Sequence, residues 1–354
     1  MITSTSNILA EHLHRAAGAY RHGKRHRVSA GTSTAVGFDQ LLGAAILKHA
    51  SPREQMLMSA ALVARTRGLA AVRKGDMEVA EANLRTSRDI LEVPWLSTES
   101  HALLASFQEA AEAFIDFRCG RHDLARKRVF RAMSADGTLL SRDGYHVLEL
   151  HRVQLGHNLA RVDANAGEPE RAARILAGLL TYLEGESVAW PFPDYTYTGK
   201  ATVDDLPEEQ VADLFIQLTS ELALLLDGQG REEGLALFAP VVAHAELKAT
   251  RRCGRHPSAH AWLSLKLAYL ERNVVGFLEG AQEVLADGPR EGSLLWYATA
   301  TDLYRECARL LEDCPAEASS LRSELAEDAV SWIRVPAGLK AGAGVAVMKQ
   351  PAPA

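Results

Sequence analysis

Aromatic residues make up only 6% of this 354-residue chain, and alternating runs of Val, Ile, Thr and Tyr are scarce beside abundant Ala and Leu. That balance predicts helix rather than strand. Its 4 cysteines, Cys119, Cys253, Cys307 and Cys314, are too few and too scattered for a secreted disulfide scaffold, and a reducing cytoplasm suits them better. No stretch of about eighteen apolar residues occurs, so no membrane-spanning helix is predicted. The opening segment, MITSTSNILAEHLHRAAGAY, breaks its Leu and Ala with Glu11, His12, His14 and Arg15, which does not describe a secretory signal. A soluble cytoplasmic protein is the expectation. The net charge of -6 argues against general attraction to nucleic acid or to anionic membrane.

Catalytic signatures are missing too. There is no H-E-x-x-H, and only Glu11 with His14 has the E-x-x-H spacing of which a di-iron bundle needs two copies. A G-x-S-x-G elbow and a dinucleotide fingerprint followed by a strand are also absent. TYTGKAT is no phosphate loop, because Ala201 stands after Lys200 where Ser or Thr is required. His146, His151 and His157 share one predicted helix at offsets that spread them around it. YRHGKRHRV, residues 20–28, groups basic side chains around a Gly, and reads as a solvated interhelical loop ahead of a phosphate contact. The sharpest metal-like spacing is RRCGRHPSAHAW. With Pro257 opening a helix, His256 at its N-cap and His260 one turn on could share an ion with Cys253, leaving an open position. No second ligand cluster supports that trio, so no cofactor or metal is expected.

What the chain does contain is a recurring turn. GDMEVA from Gly75, GRHDLA from Gly120, GEPERA from Gly167 and, more weakly, GREEGL from Gly230 align on their first Gly. Ala80, Ala125 and Ala172 follow at the same offset, with Leu235 in the fourth window; Gly68, Ala113, Ala160 and Ala223 precede at another. Small residues at fixed distances on both sides of a turn are what two closely packed antiparallel helices need. A Gly ends the first helix with φ > 0, and acidic or polar residues suit the first turn of the next. Further helical periodicity covers 5–22, 36–49, 258–272, 274–286, 293–313 and 316–333, and SPREQ at 51–55 offers Ser51 as N-cap with Pro52 at the first helical position.

The pattern resembles the tetratricopeptide repeat, over about residues 53–184 well and 206–247 loosely. Turn spacings of 45, 47 and 63 residues, against about 34 in that family, imply longer helices. The resemblance implies an all-α, right-handed superhelical array of antiparallel helix pairs. Ordinary helical hairpins are the alternative source of the same signature. The expected layout is a helical cap at 1–50, repeat-like pairs at 51–184, an insert at 185–205, further pairs at 206–334, and a tail at 335–354 that frays or drapes over the last helix.

In the family the first helix of each pair lines a concave, ligand-binding face. Carried over by offset from each turn Gly, those positions are Leu62, Arg65, Leu69, Val72 and Arg73, then Phe107, Ala110, Phe114, Phe117 and Arg118, then Gln154, His157, Arg161, Ala164 and Asn165. None is acidic, although the chain is net acidic. The resemblance therefore implies a basic groove with a phenylalanine floor, holding a peptide, a partner segment or a small anionic ligand. His157 and Arg161, four residues apart, are expected to grip one anionic group. The insert carries Trp190, Phe192, Tyr195 and Tyr197, which either plug a gap between helix pairs or close over a ligand. A binding protein is thus the leading reading. A small-molecule sensor or an enzyme, possibly metal-dependent through Cys253, His256 and His260, is the alternative.

Overall fold

The computed structural model describes residues 2–26, 37–140, 142, 144–185, 190–192, 203, 206–248, 257–290 and 293–346. Fifteen α-helices form among them. In chain order they are α1 (Ile2–Gly23), α2 (Phe38–His49), α3 (Pro52–Lys74), α4 (Met77–Leu91), α5 (Thr98–Arg118), α6 (His122–Leu140), α7 (Leu148–Asn165) and α8 (Pro169–Leu183). Then come α9 (Glu208–Leu226), α10 (Arg231–Lys248), α11 (Pro257–Glu271), α12 (Val274–Ala286), α13 (Leu295–Arg309), α14 (Pro315–Val330) and α15 (Ala337–Gly342). The chain divides into an inner unit, residues 34–214, and a terminal unit made of residues 1–33 and 215–354, with the division inside α9.

In the inner unit neighbouring helices pack in pairs, α3 with α4, α5 with α6 and α7 with α8, while α3 and α4 also meet α5, and α6 meets α7. The three turns share one geometry. Gly75, Gly120 and Gly167 have φ of 82°, 72° and 83°. In each, the amide after the Gly bonds a carbonyl five residues back: Asp76 to Ala71 at 3.0 Å, Arg121 to Asp116 at 2.8 Å, and Glu168 to Asp163 at 2.9 Å. This is the Schellman closure, which satisfies carbonyls a helix end would leave open. The small residues sit where the helices touch. Ala80, Ala113, Ala125, Ala160 and Ala172 are buried. A Cβ on Gly68 would lie 3.0 Å from the Leu84 side chain, so a larger residue there would force Leu84 to give way.

The fourth window behaves differently. Its left-handed glycine is Gly228, φ 76°, while Gly230 precedes α10 and accepts from the Gly234 amide at 2.8 Å. The turn between α11 and α12 keeps the closure without a glycine: Arg272 has φ 62°, and the Asn273 amide reaches the Ala268 carbonyl at 2.9 Å. Here the small residue has moved to the second helix. A Cβ on Gly280 of α12 would stand 3.0 Å from Leu265 Cβ of α11.

In the terminal unit α1 packs on α12 and α14. Tyr20 stacks on Trp296 with centroids 5.3 Å apart and donates its hydroxyl to Asp328 at 2.8 Å. Lys24 reaches Glu324 at 2.7 Å and Asp328 at 2.8 Å. The stretch expected to fray or drape over the last helix contains α15, which rests on α13 through buried Leu339, whose carbonyl accepts from Thr301 Oγ1 at 3.1 Å. Among the described residues no helix is long and apolar enough to cross a membrane.

Candidate functional site

The inner unit holds a cleft of about 80 Å³ between α5 and α7. α5 contributes Ala110, Ala113, Phe114 and Phe117, and α6 contributes Val129. Across from them α7 contributes Leu155, Asn158, Arg161 and Val162. The lining is apolar except for the Asn158 amide and the exposed Arg161 guanidinium. Such a space takes roughly two or three water-sized groups, which is the end of one aliphatic side chain. It is far below the roughly 300 Å³ or more of a small-molecule pocket.

The sign of charge here has a structural cause. Three acids of α5, Glu109, Glu112 and Asp116, turn toward the second helices of the pairs, where arginines meet them. Glu112 accepts from Arg88 Nε of α4 at 2.9 Å, and Asp116 from Arg128 Nε of α6 at 2.8 Å and from Arg121 Nε at 2.8 Å. Glu109 takes Arg128 Nη1 at 3.0 Å. On α7, Asp163 accepts from Arg126 Nε of α6 at 2.9 Å. These acids are thus paired between helices, and Arg161 stands at the rim of the cleft.

Of the residues singled out from the sequence, Ala110, Phe114, Phe117 and Arg161 come together in this cleft. Gln154, His157 and Asn165 do not line it. At the level of His157, α7 is enclosed: Leu155, Gly156, His157, Leu159 and Ala160 are all buried, and Gln154 Nε2 lies 3.2 Å from His157 Nδ1. Arg161, one turn on, emerges, and Asn158 stands beside it instead. Asn158 lay between the offsets carried over from the family, although its three-residue spacing from Arg161 is the signal that places both on one side of the helix. The Asn165 amide bonds back to the Arg161 carbonyl at 2.9 Å, and Arg73 and Arg118 are exposed.

Arg65 takes part in a different cluster. Its guanidinium lies 4.5 Å from the Phe107 ring centroid, where burial pushes its pKa down and Asp39 of α2 opposes that shift. Phe107 in turn packs on His151 at 4.4 Å, with Phe38 alongside both. His151 Nδ1 sits 2.9 Å from Asp136 Oδ2 and 3.5 Å from Ser106 Oγ. Serine, histidine and aspartate are all present, yet both oxygens face the same ring nitrogen. A proton relay needs the hydroxyl at the other nitrogen, so this trio orders the core rather than activating a nucleophile.

Within the insert, Trp190 packs into the inner unit 4.1 Å above the Arg152 guanidinium and edge-on to Tyr182, and Phe192 is buried. Tyr195 and Tyr197 lie outside the described residues. So do Cys253 and His256. α11 does begin at Pro257, and His260 lies beside Phe215, ring centroids 5.2 Å apart. Among the described residues no group of His, Cys, Asp and Glu could hold a metal ion. No family model, curated protein or solved structure matches the chain, so the geometry of the cleft carries the functional reading by itself.

Proposed function

We propose that this chain is a binding protein whose helix pairs continue into a tetratricopeptide-like superhelix, and that it holds an anionic partner segment along the first helices of its pairs. The observation that carries this is the meeting of Phe114, Phe117 and Arg161 around one side-chain-sized cleft. An apolar hole next to a guanidinium suits a peptide that presents an aliphatic side chain and, beside it, a carboxylate. The aliphatic end fills the space, and the carboxylate takes the arginine. The small volume disfavours a sensor or an enzyme working at this cleft.

The test is a panel of fluorescent peptides that pair Leu, Val or Ile with neighbouring Asp or Glu, together with their Asn and Gln counterparts, followed by anisotropy across a salt series. The acidic peptides should bind and weaken with salt. Arg161→Ala and Phe117→Ala should each cost about tenfold, roughly 1.4 kcal/mol, whereas Arg27→Ala in the basic stretch should change little. Equal losses at Arg161 and Arg27, or no preference for acidic peptides, would reject the cleft as the site.

A further inference from the structure

The inner unit has a second surface that the cleft does not use. α3 carries apolar side chains on its outward side as well as its inward one. Its inward side carries the buried Met58, Ala61, Ala64, Gly68, Ala71 and Val72. Its outward side carries Met56, 75% exposed, Val63, 47% exposed, and Ala60 between them. Positions 56, 60, 63, 67, 70 and 74 fall at alternating four- and three-residue steps, which draws one straight seam along the helix, apolar at Met56, Ala60 and Val63 and basic at Arg67 and Lys74. At its amino end Arg53 lies 3.9 Å above the ring of Trp95, itself 38% exposed. Met, Trp and Arg together are the composition of the centre of a protein interface.

Charge identifies the occupant. Every exposed charged residue of α3 is basic: Arg53, Arg67, Arg73 and Lys74. Its one acid, Glu54, is buried in the capping box. Yet the chain as a whole is net acidic. A second copy of α3 would set Arg67 and Lys74 against like charges, which costs affinity and register. A helix with an apolar stripe at the same spacing and carboxylates on its flanks would bury Met56 and Val63 and bring those carboxylates to Arg67 and Lys74 further along the seam.

We propose that the outward face of α3, with Trp95 at its end, docks an acidic amphipathic helix of a partner protein. The seam from Met56 to Lys74 is roughly 27 Å long at 1.5 Å per residue, which matches about five turns of a partner helix. Because the contact residues are already exposed, replacing them does not disturb the core.

The probe is a synthetic peptide of about three heptads with Leu at a and d and Glu at e and g. A scrambled isomer and a version with Lys for every Glu serve as comparisons, all titrated into the full chain by calorimetry. The acidic amphipathic peptide should bind alone and weaken with salt. The Met56→Asp/Val63→Asp chain, its fold checked by circular dichroism, should lose binding at least tenfold. Arg53→Glu/Arg67→Glu should shift preference toward the Lys peptide. Binding of the scrambled or Lys peptide equal to that of the acidic one would overturn the proposal, and so would absence of binding. Self-association that Met56→Asp abolishes, or capture of anionic vesicles by this face, would assign it to another occupant and overturn the proposal equally.

Discussion

Glu54 of α3 accepts the backbone amide of Ser97, the N-cap of α5, at 2.7 Å through Oε1, while Oε2 accepts the amide of Ser51, the N-cap of its own helix, at 2.9 Å. One carboxylate therefore closes the amino ends of two successive first helices. Hydrogen bonds from Ser97 and then Ser51 hold its pKa far below the usual carboxylate range. A depressed pKa contributes stability that is complete above the unfolded value, near 4.5, and fades as pH falls toward the folded one. Glu54→Gln should cost about 1–2 kcal/mol at neutral pH, since solvent reaches helix ends and weakens charge-assisted bonds there. Urea titrations of both chains from neutral pH downward should show the gap closing on the acid side. A gap that is constant with pH would mean the charge is not what holds the two caps.

Glu149 and Arg152 bury each other on α7. Both are 1% exposed, with Arg152 Nη1 3.0 Å from Glu149 Oε2 and the Tyr182 hydroxyl donating to the same carboxylate. Burial pushes the Glu149 pKa up, against the pull of Arg152 and Tyr182. Removing one partner strands the other charge, so Arg152→Met should cost about 3–5 kcal/mol. Arg152→Met with Glu149→Leu should recover most of that loss. The four chains of this double-mutant cycle, unfolded in urea, measure the coupling directly.

Arg272 occupies a left-handed turn that the inner unit gives to glycine three times. A side chain in that region is strained by about 1–2 kcal/mol, part of which glycine returns through its greater freedom when unfolded. Arg272→Gly should therefore raise stability by about 0.5–1 kcal/mol. Thermal melts check the sign. A loss would show that the arginine side chain makes a contribution larger than its backbone strain.

The cysteines should differ in reactivity. Cys119 is exposed, while Cys307 is buried and its thiol is pushed up to about 12 by that burial. Cys314, also buried, is raised for the same first reason. At pH 8 only about one in ten thousand Cys307 thiols would be ionised. Iodoacetamide labelling mapped by mass spectrometry should modify Cys119 in the folded chain and reach Cys307 and Cys314 only in denaturant. Labelling of Cys307 at a rate near that of Cys119 would show that the α13–α14 core opens readily.

The sequence alone determined the local features. Ser51 as an N-cap with Pro52 after it, a glycine ending the first helix of each inner pair, and small residues either side of it all act over a few residues, where backbone geometry leaves few choices. Four residues that line the cleft, Ala110, Phe114, Phe117 and Arg161, stand at offsets carried over from the family resemblance. Tertiary structure alone decided the rest. α7 is buried on most sides, with polar Glu149, Arg152, His157 and Asp163 enclosed among its apolar residues, so no periodicity could say that His157 is enclosed while Arg161 one turn later is exposed. The second bond of Glu54 links residues 54 and 97, and α1 packs on α12 and α14 from the opposite end of the chain. Gly280 replaces the expected small residue from the other helix of its pair. In each case the deciding quantity is which surfaces meet and exclude water. That is a property of the assembled helices and not of any one segment.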